Sequence, residues 1–140
     1  MDNGANELEE GKRLMLDFSK LAKVAKACPD VIPVAIQDAA TQEVIVIAYV
    51  NERALNETIK TGTLTLWSTS RNELWVKGMT SGNYFTVEEI RVNCEQNSLL
   101  FKVRAKGDAI CHTKNSSGKA RNCYYRKLNT AAMELENTDP

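Results

Sequence analysis

The sequence has no excess of charge of either sign: 18 basic and 18 acidic side chains cancel over 140 residues. No block of like charge interrupts the mixture. A dedicated nucleic-acid surface needs a basic patch or stripe, so no nucleic-acid partner is expected and small molecules or proteins are favoured. No apolar run approaches membrane-spanning length. The first residues, with Asp2, Glu7, Glu9 and Glu10, lack the basic start and apolar core of a secretory signal. The expectation is a soluble, cytoplasmic protein with no membrane partner. In that reducing setting the four cysteines read as ligands or free thiols rather than as disulfides. Histidine is scarce: His112 is the only one.

What is there suffices for one core. A 43% hydrophobic content over 140 residues supports a single compact domain. The expected layout is a flexible segment over 1–10, one domain over 11–128 and a polar tail over 129–140. From Lys12 to Ala27 apolar positions recur at near-helical spacing among lysines, and Pro29 ends the pattern, which predicts an amphipathic helix. Cys28, just before that proline, reads as a small packing residue. Val34–Ile36 and Val44–Val50 predict two strands joined by a longer loop, the second buried on both faces as a central strand. Asn51 is placed to cap a short helix through Lys60, with Ala54, Leu55 and Ile59 turned inward and Gly62 ending it. Thr63–Trp67, Tyr84–Val92 and Ser98–Ala105 predict further strands. The fold class expected is α+β, a mixed or antiparallel sheet of about five or six strands with two packed helices.

Chemistry concentrates in the second half. Cys94, Cys111, Cys123 and His112 are the donor types that a borderline-soft ion such as zinc selects. Three protein ligands leave a fourth position for water, and His112, beside Cys111, can carry a proton there. A closed structural site using His112 as fourth ligand is the alternative. Trp67-Ser68-Thr69-Ser70-Arg71 and Trp75 to Asn83 gather hydroxyls, glycines, tryptophans and cations. These are the parts of a phosphate cradle with a stacking face, or of a Ser/Gly-rich turn flanked by core tryptophans. Composition leaves both readings open. Asn93, Glu95 and Asn97 alternate through a polar turn, offering oxygens to a hard cation such as magnesium, although a plain Asn-rich turn explains them as well.

The stretch from Asp30 to Tyr125 resembles phosphoribosyl-AMP cyclohydrolase, a histidine-biosynthesis enzyme family that opens the adenine ring of phosphoribosyl-AMP. The resemblance runs in order through Ile32-Pro33-Val34, Ala48-Tyr49-Val50-Asn51, Trp67-Ser68, Ser70-Arg71, Glu73-Leu74-Trp75, Lys77-Gly78, Thr80-Ser81-Gly82-Asn83, Cys94, Cys111-His112-Thr113 and Cys123-Tyr124-Tyr125. It implies a hydrolase acting on a phosphorylated nucleotide. It implies zinc on Cys94, Cys111 and Cys123, drawn from both subunits of an intertwined homodimer. Substrate contacts are implied for Trp67, Ser68, Arg71, Trp75, Lys77, Thr80, Ser81, Gly82 and Asn83. By their own chemistry His112 is the catalytic candidate for general acid or base, and Glu95 the candidate to orient the water or a second cation.

The departures fall at the second metal. The family's Asp-Cys-Asp-x-Asp stands here as Asn93-Cys94-Glu95-Gln96-Asn97, so a magnesium site on Asn93, Glu95 and Asn97 is expected to be weak, because amides bring no net charge to a strongly hydrated dication. Met79 replaces a glutamate and Thr69 an arginine, and a basic insertion over 114–121 separates Cys111 from Cys123. Two alternatives to phosphoribosyl-AMP hydrolysis follow: a zinc-binding dimer that has lost turnover, and a cyclohydrolase for a different phosphorylated heterocycle.

Overall fold

The computed structural model describes residues 4–77, 84–105 and 113–140. In chain order its elements are α1 (Gly4–Glu10), α2 (Lys20–Ala27), β1 (Ile32–Asp38), β2 (Val44–Val50), α3 (Glu52–Thr61), β3 (Thr65–Ser68), β4 (Glu73–Val76), β5 (Phe85–Val92), β6 (Leu99–Ala105), β7 (Arg126–Asn129) and β8 (Glu134–Asn137). The class is α+β, with a four-stranded mixed sheet in the order β2-β1-β6-β5. Its single parallel pairing joins β1 to β6, in register from Val34↔Leu99 to Asp38↔Val103. Period-two alternation places Val34, Ile36, Leu99, Phe101 and Val103 on one face, all buried. That face, with Phe85, Val50, Ala54, Leu64 and Leu66, forms the core. Leu64 and Leu66 share a side, as their alternation predicts.

The second β-run is not central. β2 lies at the sheet edge, with Val44 48% and Ile47 53% exposed. A continuous apolar run looks the same whether its second face meets its own chain or is left uncovered. The β2 edge instead faces β3, and the polypeptide curls so that the two approach each other. The curl is tied at the other side by Leu64 N–H donating to Phe85 O at 2.8 Å and Val87 N–H to Gly62 O at 2.8 Å.

Asn51 caps α3 as expected, its Oδ1 accepting from Ala54 N–H at 2.9 Å. Gly62 ends the helix in the left-handed conformation at φ 73°, which glycine adopts without a Cβ penalty. The inward face differs. Ile59 is 62% exposed, and Thr58 is buried in its place. The Thr58 hydroxyl accepts from Thr65 N–H at 3.1 Å and faces the carbonyls of Ala54 and Thr65. A polar side chain thus pins α3 to β3.

Both ends of the chain correct the sequence reading. Residues 4–10, expected to be loosely ordered, form α1. The helix expected from Lys12 starts only at Lys20, because Arg13 pairs with Glu134 and Lys12 O accepts from Leu135 N–H at 2.7 Å. The polar tail supplies β8, paired with β7 from Arg126↔Asn137 to Asn129↔Glu134. Buried Arg121 joins these ends: it donates to Glu10 Oε1 and to Asp139 O, each at 2.8 Å, with its guanidinium 4.5 Å from the Tyr125 ring centre. Against the expected single sheet of five or six strands with two helices, the described residues hold eight strands and three helices, because the β3–β4 and β7–β8 hairpins form sheets of their own.

Candidate functional site

Where β2 and β3 face each other they leave a cleft of about 280 Å³, lined by Val46 to Tyr49, Leu66 to Ser70, Trp75 and Lys20. It brings together Trp67, Ser68 and Trp75, three of the residues assigned to substrate. In the β3–β4 register Leu66↔Trp75 and Ser68↔Glu73 are directly opposed, which puts Ser68 and Trp75 on one face of the hairpin and Trp67 on the other, and the intervening residues 69–72 make a tight turn. Ser68 Oγ accepts from Arg71 N–H at 3.3 Å and Arg71 Nε–H at 3.2 Å, and lies 3.4 Å from Ser70 Oγ. Arg71 Nε is also 3.4 Å from Glu73 Oε1. A hydroxyl pair and a guanidinium are thereby presented beside an indole.

Asn72 was not among the residues expected at the site, yet it organises this turn. Its φ is 52°, a left-handed conformation that asparagine adopts more readily than other non-glycine residues. Its Oδ1 accepts from Trp67 Nε1–H at 3.0 Å. An asparagine after Ser-x-Ser-Arg in a short turn was the available signal.

Lys77 follows β4 and is buried, with Nζ 5.5 Å from the Phe85 ring centre. Burial pulls its ammonium pKa below the ordinary 10.5. A desolvated lysine gains more from an arriving phosphate than an exposed one does. Thr80, Ser81, Gly82 and Asn83 lie outside the described residues, as do Cys111 and His112.

Cys94 occupies the β5–β6 turn and is exposed. Cys123 is also exposed and runs beside the start of β2, its N–H donating to Ile45 O at 3.1 Å. In the register of the sheet these are opposite corners, since Leu99 aligns with Val34 whereas Ile45 lies near the far end of β1. With about 3.3 Å per residue along a strand and about 4.8 Å between strands, the two cysteines are roughly 20 Å apart within one chain. Thiolates sharing a zinc ion lie within about 4.6 Å of each other. Among the described residues of one chain, no three His, Cys, Asp or Glu side chains cluster as a metal site. The donor chemistry suits zinc, but within one chain Cys94 and Cys123 stand too far apart to share an ion.

The same turn does not suit magnesium. Asn93 Oδ1 accepts from Asn97 N–H and Ser98 N–H, both at 2.9 Å, and Asn93 Nδ2 donates to Asn97 Oδ1 at 2.7 Å. Both amide oxygens are engaged within the turn and neither carries charge, so Glu95 alone offers a carboxylate.

The sequence model described as phosphoribosyl-AMP cyclohydrolase matches residues 46–125. A protein of that description from Archaeoglobus fulgidus is 50% identical over 97 residues, covering 69% of this chain and 84% of the relative. The chain belongs to the phosphoribosyl-AMP cyclohydrolase family. Similar proteins with the same description come from Hyphomonas neptunium, 48% identical over 99 residues and 71% of each chain, and from Salinibacter ruber, 46% identical over 96 residues, 69% of this chain and 71% of the relative. The matched span takes in the cleft apart from Lys20, the Cys94 turn and Cys123-Tyr124-Tyr125. No helix among the described residues is long and apolar enough to cross a membrane.

Proposed function

We propose that this protein hydrolyses phosphoribosyl-AMP, opening its adenine ring, as a zinc-dependent homodimer. The observation that carries the reading is the family match over residues 46–125, supported by relatives whose names state that activity. Trp67 and Trp75 give the cleft its stacking faces. Ser68 and Arg71 present donors to phosphate, and Lys77 adds a partly desolvated positive charge. Water must be added to an electron-poor ring carbon as a ring C–N bond opens, so a proton has to move to the departing nitrogen. His112 carries that proton, while Glu95 orients the attacking water. Cys94, Cys111 and Cys123 hold zinc, which when bound supplies Lewis acidity that makes a water ligand more acidic, an effect that thiolate charge blunts. The separation of Cys94 from Cys123 supports a site shared between two protomers. The turn chemistry of Asn93 and Asn97 supports turnover without magnesium.

The test is turnover of phosphoribosyl-AMP by zinc-loaded protein, with and without magnesium, alongside metal content and molar mass. Ring opening by a zinc-containing dimer is the expected result. A fully loaded dimer with no turnover removes phosphoribosyl-AMP hydrolysis and leaves a zinc-binding dimer or a cyclohydrolase for a different phosphorylated heterocycle. A Cys111→Ser variant that stays folded, dimeric and active removes the zinc assignment.

A further inference from the structure

Cys28 stands apart from the three thiols assigned to zinc, and it is 1% exposed. It closes α2, its own N–H donating to Val24 O. Its Sγ lies 3.1 Å from Asn72 Oδ1 and 3.7 Å from Thr69 O. The direction of the first bond is fixed by chemistry. The indole N–H of Trp67 only donates, so the Asn72 atom facing it is the carbonyl oxygen. The same oxygen faces Cys28, so the thiol is the donor.

We propose that Cys28 is a positioning residue for the substrate turn, a thiol latch that ties the end of α2 to residues 69–72 and so fixes Ser70 and Arg71 for phosphate. The proposal rests on the assignment of this turn to substrate. The latch grips both residues that flank the Ser70-Arg71 pair. Asn72 is held in its left-handed conformation with two donors on one oxygen, one of them the buried Cys28 thiol. Without the thiol, that oxygen keeps only the indole, and the backbone strain at Asn72 favours relaxation of the turn. Arg71, already shared between Ser68 and Glu73, then loses its fixed direction. A cysteine that only filled space would lose nothing specific to substrate on becoming alanine.

The experiment combines steady-state kinetics with peptide-resolved iodoacetamide labelling of zinc-loaded protein. Cys28→Ala is expected to raise KM for phosphoribosyl-AMP about five- to tenfold, the loss of one part-buried hydrogen bond, with kcat changed by less than about twofold. Cys28→Ser, which keeps a donor, recovers most of that loss. Asn72→Gly relieves the backbone strain but removes the acceptor; it is expected to raise KM in the same way and to speed Cys28 alkylation about tenfold in the absence of substrate. An unchanged KM in folded Cys28→Ala overturns the proposal, as does a serine variant no better than alanine. Should wild-type protein not turn over phosphoribosyl-AMP, the hydrolase reading falls by itself. Faster alkylation in Asn72→Gly then still upholds the latch, and unchanged alkylation overturns it.

Discussion

Replacing Asn93 and Asn97 together by aspartate tests whether the Cys94 turn is closed by amides in place of a cation. In the native turn Asn93 Nδ2 donates to Asn97 Oδ1 at 2.7 Å, and Asn93 Oδ1 receives two backbone N–H groups. The double variant keeps the two backbone bonds and loses the amide–amide bond, at a cost of about 1 kcal/mol. It also sets two carboxylates about 4 Å apart in a solvated turn, which adds about 1 kcal/mol of repulsion. The sum, about 2 kcal/mol, lowers the midpoint of thermal unfolding by about 6–8 °C for a chain of this size. Millimolar magnesium is expected to return most of that loss in the variant and to leave the wild type unmoved. Sodium chloride at about 0.1 M returns little, because a pair at about 4 Å sits well inside the Debye length of about 10 Å. Scanning fluorimetry in magnesium, in sodium chloride and in neither provides the readout. A wild-type midpoint that climbs with magnesium as far as the variant's would refute the amide-closed turn, and so would a variant as stable as wild type without added metal.

Other expectations are independent of that turn. Thr58→Val keeps the volume but leaves the buried Thr65 N–H without its hydroxyl acceptor; urea unfolding should show a loss of about 1–3 kcal/mol, and Ile59→Thr on the exposed side almost none. Lys77 has a folded-state pKa below its unfolded value of 10.5. Between the two values the unfolded chain binds more protons, so stability should rise with pH relative to Lys77→Met, while KM for a phosphorylated substrate rises over the same window as the ammonium is lost. His112→Ala should lower kcat about a hundredfold or more with the protein still folded, as expected for removal of a proton carrier; an unchanged rate excludes that role. Arg121→Ala removes charge-assisted bonds and a ring contact that hold α1 to the tail. Amide exchange should then accelerate in residues 4–13 and 134–139 well before the central sheet is affected.

The elements most legible in the sequence were those decided by local rules. Asn51 and Gly62 bracket a helix because one accepts an N–H and the other tolerates positive φ, and both requirements are written in residue type. The strands of β1, β5 and β6 carried alternation or β-rich runs. Trp67, Ser68 and Trp75 were named for substrate; the hairpin register sets Ser68 and Trp75 on one face, and all three line the cleft between β2 and β3. Errors arose where the deciding partner was distant. β2 is an edge strand because no strand among the described residues pairs with its outer side, while β6 takes the other side of β1 in parallel, a pairing between segments more than sixty residues apart in order. The extended stretch before α2 reflects Arg13 meeting Glu134, and Thr58 is buried because β3 returns beneath α3.

By itself the sequence determined which donor groups the chain carries: thiols, a lone imidazole, hydroxyls and cations beside indoles, and amides at Asn93 and Asn97. These follow from the identity of the side chains, which folding does not change. Tertiary structure alone decided which of these groups meet. It placed Cys94 and Cys123 at opposite corners of one sheet, engaged Asn93 with Asn97, and brought a thiol from the end of α2 to the turn over residues 69–72, because contact depends on strand order and register rather than on composition.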